Sequence, residues 1–88
     1  MTENITQAKN WFKTKDLYEA SALYAVKTPI LAIERDGKQC WFVFDKPEDC
    51  RKNANSYWQG ELVVNAKDFA DAIRTLKDRI FAQQWTAP

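Results

Sequence analysis

The sequence predicts a small α+β domain: an antiparallel sheet, built from one β-hairpin and a short third strand, packed against three helices in the order α-β-β-α-β-α. Three observations predict it. Two β-rich runs, residues 29–35 and 38–45, flank Asp36-Gly37, a dipeptide that favours a tight two-residue hairpin turn. Phe69, Ile73, Leu76 and Ile80 recur at the spacing of an amphipathic helix. Between these lies a stretch with Pro47 where a helix would begin and Gly60 where it would end.

Each element has its own justification. Residues 1–10 are polar and read as a loose leader. Trp11 and Phe12 open the ordered part as a short extended segment, and core packing is the ordinary role for both. Thr14 suits an N-cap, and Asp16 suits a first helical turn, where the helix dipole favours negative charge. The run 17–26 is rich in Ala and Leu, which favour helix. Its small residues Ala20, Ser21 and Ala22 permit close approach to a neighbour. Pro29 should stop this helix, because the residue before a proline is pushed out of the α region.

A two-residue Asp36-Gly37 turn sets a register with Arg35 opposite Lys38, Ile33 opposite Cys40 and Leu31 opposite Phe42. One face then carries Leu31, Ile33, Cys40, Phe42 and Phe44, all apolar. The other carries Ala32, Glu34, Gln39 and Trp41, with Ile30 and Val43 nearer the open end.

Asp45-Lys46-Pro47-Glu48 resembles a capping box, and Cys50, Ala54, Tyr57 and Trp58 form a helical stripe over about residues 46–58. Leu62-Val63-Val64 reads as the short third strand. Asn65 caps the last helix, with Asp68 and Asp71 early and Arg74, Lys77 and Arg79 later, which complements the dipole. The ordered domain is expected over residues 11–83. Residues 84–88 should fray, with Trp85 able to tuck back.

The 88 residues make one domain, 45% hydrophobic and 14% aromatic, with only two Gly and three Pro. That composition belongs to a packed globule rather than a disordered or fibrous chain. Thirteen basic and twelve acidic side chains nearly cancel. A coat for DNA or RNA needs a basic excess to neutralise phosphates, so balance argues against sequence-independent nucleic-acid binding. No run approaches the ~18–20 apolar residues of a membrane span. No secretory signal is visible, so the expected location is the cytoplasm, with both thiols free.

Enzyme chemistry finds little support. The chain has no histidine, which removes the commonest general base and zinc ligand. The candidate carboxylates are Glu34, Asp45, Glu48, Asp49, Asp68 and Asp71, and ordinary roles are expected of them: Asp45 and Glu48 in a capping box, Asp68 and Asp71 at a helix start, Glu34 on the solvent side of the hairpin. Cys50, near a helix start and followed by Arg51 and Lys52, has the setting of a lowered-pKa thiol. It also begins the apolar stripe that ends at Trp58, and a buried structural thiol fits better. Cys40 faces inward in the hairpin. Gly37 and Gly60 are both needed at turns, which leaves no glycine-rich phosphate loop. No cofactor, metal or small-molecule substrate is expected.

Two binding classes remain. Single-stranded nucleic acid needs aromatic platforms beside cations. Trp41, near Arg35 and Lys38, is the best such platform, with Lys13, Arg51, Lys52 and Trp58 as extensions. The competing account packs Trp41 beneath the first helix or the N-terminal segment. The other class is contact with a protein partner or a second copy, where aromatic residues and Arg are enriched.

The chain also carries Phe12-x-Thr14-x-Asp16-Leu17-Tyr18-x-Ala20, then Phe42-x-Phe44, Tyr57-Trp58-x-Gly60-x-Leu62-x-Val64, and Phe69-x-x-Ala72-x-x-x-Leu76-Lys77. In that order, over about residues 11 to 82, it resembles a family of small domains from bacteria and their phages known only as a domain of unknown function. The resemblance implies a compact α+β fold and a bacterial or phage setting, and transfers no functional residue. The expected function is a non-catalytic interaction module that binds another protein or itself. An accessory single-stranded nucleic-acid-binding domain is the alternative. The expected contact surface is Trp41, Arg35 and Lys38, then Arg51 and Lys52.

Overall fold

The computed structural model describes residues 11–84. The expected leader and the end of the expected frayed tail lie outside them. The chain runs β1 (Phe12–Thr14), α1 (Leu17–Ala25), β2 (Ile30–Asp36), β3 (Gln39–Phe44), α2 (Pro47–Trp58) and α3 (Ala66–Gln84). Among the described residues there are three helices and one three-stranded antiparallel sheet in the order β1-β3-β2, so the class is α+β.

The third strand is the extended segment at Phe12, which pairs Phe12 with Phe44 and Thr14 with Phe42. Leu62-Val63-Val64 does not form a strand. The amides of Glu61 and Leu62 instead donate to the Ser56 carbonyl, at 2.8 and 3.2 Å, and close the end of α2. Val63 is 89% exposed. A β-branched run whose first amides bond back to a helix has little backbone left for a ladder.

The hairpin forms in a different register from the one a two-residue Asp36-Gly37 turn would give. Asp36 pairs with Gln39, Arg35 with Cys40, Glu34 with Trp41 and Ile33 with Phe42. The loop is therefore Gly37-Lys38. Gly37 has φ +63°, and Lys38 is not among the positive-φ residues. Positive φ at the first loop residue alone is the type II′ requirement rather than that of type I′. Ile33 has moved from Cys40 to Phe42, a shift of two residues. An even shift preserves which side chains share a face, so Ile33, Cys40, Phe42 and Phe44 stay on the inner one. A bulge between Ile30 and Ala32 breaks the alternation below that point. It brings Ile30 opposite Phe44 and onto the core, and leaves Leu31 47% exposed.

The core joins Ile33, Phe42 and Phe44 of the sheet to Ala20 and Leu23 of α1, Cys50 of α2 and Leu76 of α3. Phe12, Leu17, Tyr24, Ile30, Cys40 and Ile80 pack around it. Full burial of a residue such as Leu23, Phe42 or Leu76 contributes roughly 1.5–3 kcal/mol. α1 is the central helix: Glu19 to Leu23 and Ala25 are all buried. It packs against both other helices and β1. A helix covered on several sides has no broad polar face, which is why its residues are so small.

The helix ends explain the local conformation. Asp16, not Thr14, is the N-cap of α1, and its Oδ1 accepts from the Glu19 amide at 2.8 Å. Thr14 lies in β1, where its Oγ1 accepts from the Asp16 amide at 3.1 Å. α1 ends before Pro29 is reached. Thr28 N–H donates to the Leu23 carbonyl and Lys27 N–H to that of Tyr24, with Lys27 at φ +71°. This is a Schellman motif with lysine in the place glycine usually takes. α2 ends in the same motif with Gly60 at φ +75°, donating to the Tyr57 carbonyl while Glu61 donates to Ser56. At its start no capping box forms. Lys46 is the left-handed N-cap residue, at φ +56°, and its amide bonds to Asp45 Oδ1 at 2.8 Å. Asn65 caps α3 as expected, its Oδ1 accepting from the Asp68 amide at 3.0 Å.

Candidate contact surface

The central strand β3 places Trp41 on the sheet face away from the core. The observed register sets it opposite Glu34, where the two-residue turn would have set it beside Ala32. Around it the outer face carries Lys13 from β1 and Glu34 from β2. Lys13 Nζ reaches Glu34 Oε1 at 3.2 Å, bridging the two outer strands across β3. Both side chains are about half exposed, and an ion pair in that setting is worth at most about 1 kcal/mol. Lys15, just past the end of β1, holds its ammonium 5.7 Å from the Trp41 ring centroid. That is within cation–π range.

Trp41, Lys13, Glu34, Arg35 and Asp36 line an open hollow of about 390 Å³. Arg35 turns at the hairpin tip, where Nε donates to the Gly37 carbonyl at 3.1 Å. Of the five residues expected to form the contact surface, Trp41 and Arg35 therefore share one hollow. Lys38 lies at the same tip but lines a separate recess with Lys15, Gln39 and Cys40. Arg51 and Lys52 are exposed on α2 and form no part of either wall. Arg51 Nη2 lies 4.0 Å from Glu48 Oε2. Sequence reasoning missed Lys15, which looks like a loop residue; its signal is its position directly after the strand that neighbours β3.

The other tryptophans divide. Trp11 and Trp58 are exposed, Trp41 is half-buried, and Trp85 lies outside the described residues. Trp58 is 62% exposed although it meets Tyr57 edge to face, with centroids 5.0 Å apart. Its Nε1 donates to Glu19 Oε2 at 2.9 Å. Glu19 is itself buried and also accepts from Thr14 Oγ1. One carboxylate thus ties β1, α1 and α2 together.

Cys50 has the opposite of a nucleophile's environment. It is 0% exposed, and its Sγ contacts the Asp45 carbonyl at 3.3 Å. Burial, then the negative charges of Asp49 and Asp45, push its thiol pKa up to about 11, against a smaller lowering by Arg51. Burial also raises the Tyr57 phenol, with Asp16 and Glu19 adding to it. Among the described residues no group of three or more His, Cys, Asp or Glu is placed to hold a metal ion. No helix among them is long and apolar enough to cross a membrane.

The family model described as Domain of unknown function (DUF5659) matches residues 9–82. The chain matches no curated protein and no solved structure.

Proposed function

Because the chain belongs to the DUF5659 family, whose description assigns no activity, we propose its function from the surface it presents: a non-catalytic protein-interaction module that binds a partner protein, or a second copy, through the outer face of its hairpin. The observation that carries this reading is the Trp41 hollow. A half-buried indole in an open depression, rimmed by charges of both signs, has the composition of an interface hot spot with a polar rim.

Single-stranded nucleic acid is the second reading, and Lys15 over the Trp41 ring is the observation that favours it. The rest of the hollow favours protein. Glu34 and Asp36 stand in its wall and would repel phosphates. Lys13 is paired with Glu34, and Arg35 Nε is bonded to the Gly37 carbonyl. A reducing cytoplasm in a bacterial or phage setting belongs to the same proposal, and the two free cysteines suit it.

Light scattering after size exclusion tests the choice, run with and without a short mixed-sequence single-stranded oligonucleotide at ~50 mM salt, where phosphate contacts are strong. The expected mass does not change with oligonucleotide. A mass increase that high salt reverses would overturn the protein reading.

A further inference from the structure

A second recess opens where β1 stops short. Among the described residues β1 pairs only with Phe42 to Phe44 of the central strand, so Gln39 to Trp41 extend beyond it. The chain leaves β1 through Lys15 and enters α1 at Leu17, while the last turns of α3 approach from the other side. The recess between them measures about 320 Å³, at the lower end of the range for small-molecule sites. Its floor is apolar: Leu17, Cys40 and Ile80, over the buried Phe42 ring. Its polar wall is Gln39 and two ammonium groups, Lys15 and Lys38, with no carboxylate among the lining residues.

We propose that this recess binds a small apolar carboxylate, its hydrocarbon body on the Leu17, Cys40 and Ile80 side chains and its head group between Lys15 and Lys38. Two features fix that chemistry. The floor continues the core cluster to the surface, where water gains nothing from it and an alkyl or aryl group does. The only formal charges in the wall are positive. Lys15 Nζ also lies 5.7 Å from the Trp41 ring centroid, and Trp41 lines the other hollow, so Lys15 stands at the sheet edge between the two. A neutral apolar molecule would bring neither ammonium group a counter-charge, and an inorganic anion would leave the floor wet. Longer hydrocarbon chains should bind more tightly until the apolar lining is covered.

Cys40 provides the readout. It lines the recess and is partly exposed, whereas Cys50 is fully buried with a raised pKa. Alkylation by uncharged iodoacetamide, followed by mass spectrometry of the Cys40 peptide, therefore reports occupancy. The probes are butanoate, hexanoate and octanoate, each beside its uncharged amide. Octanoate should slow Cys40 alkylation at least fivefold at saturation, with protection falling from octanoate to butanoate. The amides should protect at least tenfold less well at equal concentration. The double variant Lys15→Gln, Lys38→Gln should lose the protection while its free-state melting temperature stays within a few degrees of the parent. An unchanged alkylation rate, equal protection by the amides, or equal protection by the double variant would each overturn the proposal.

Discussion

The indole Nε1 of Trp58 donates to Glu19 Oε2 at 2.9 Å, although the Trp58 ring is 62% exposed. The other oxygen of the same carboxylate accepts from Thr14 Oγ1 in a buried position. The two donors meet one acceptor from opposite environments, and that difference sets their energetic weights. Thr14→Val should destabilise by about 1–2 kcal/mol, because it removes a charge-assisted bond that water cannot replace. Trp58→Phe should cost less, about 0.5–1 kcal/mol, because water can reach the freed oxygen. Urea unfolding of both variants checks the order; a larger cost for Trp58→Phe would contradict it.

Lys27 occupies a left-handed position at the end of α1, where a Cβ carries a steric penalty. Lys27→Gly should raise stability by about 1 kcal/mol. Gly60→Ala should lower it by a similar amount, about 1 kcal/mol, since nothing lies within 4 Å of the added Cβ and only the φ of +75° opposes it. Chemical denaturation of the two variants should move the midpoint in opposite directions.

Cys50 carries a thiol whose folded pKa is pushed from 9.0 up to about 11. The folded state therefore keeps its proton where the unfolded state has lost it. Unfolding stability should be unaffected below about pH 8 and should fall progressively between about pH 9 and 11. The raised Tyr57 phenol adds to the decline above pH 10. Cys50→Ala should be less stable at pH 7, through lost packing, but should show a shallower alkaline slope. An equal slope in both proteins would contradict the assignment.

Leu31 and Ile33 distinguish the bulged hairpin from a regular one. In a regular ladder both would face the core. Here Leu31→Lys should change stability by no more than about 0.5 kcal/mol. Ile33→Lys should cost several kcal/mol, because Ile33 is buried beside Phe42 and a lysine there would be an unpaired charge. Thermal melts by circular dichroism separate them; similar losses at both positions would argue for the regular register.

Much of this was legible in the residues. Gly60 and Asn65 announce the end of α2 and the start of α3, because their conformational and capping preferences act within a few residues. Ile33, Cys40, Phe42 and Phe44 keep the inner face because the register differs by two residues, whereas the bulge between Ile30 and Ala32 exchanges Leu31 for Ile30. What was not legible depends on distant partners or on unusual residues in ordinary roles. Phe12 is legible as extended backbone, but its pairing with β3 is not, because a three-residue strand takes its partner from a distant segment. Lys27 carries no glycine signal, so the residues point to Pro29 as the helix end. Glu19 looks like a surface acid within an Ala-rich helix, and its burial follows from Thr14 and Trp58, the latter 39 positions away. Of the candidate contact residues, Trp41 and Arg35 converge at the hairpin, while Arg51 and Lys52 share only their charge with Arg35.

The central claim is that the Trp41 face contacts protein. Its most direct test is a paired capture from nuclease-treated lysate of the source cell, with the wild-type chain and Trp41→Ala immobilised side by side and bound proteins quantified by mass spectrometry. Circular dichroism and a melting curve would first establish that the variant is folded. The expected result is a partner, or further copies of the chain itself, enriched on the wild type and reduced at least tenfold on Trp41→Ala. Indistinguishable captures from the two folded proteins would contradict it.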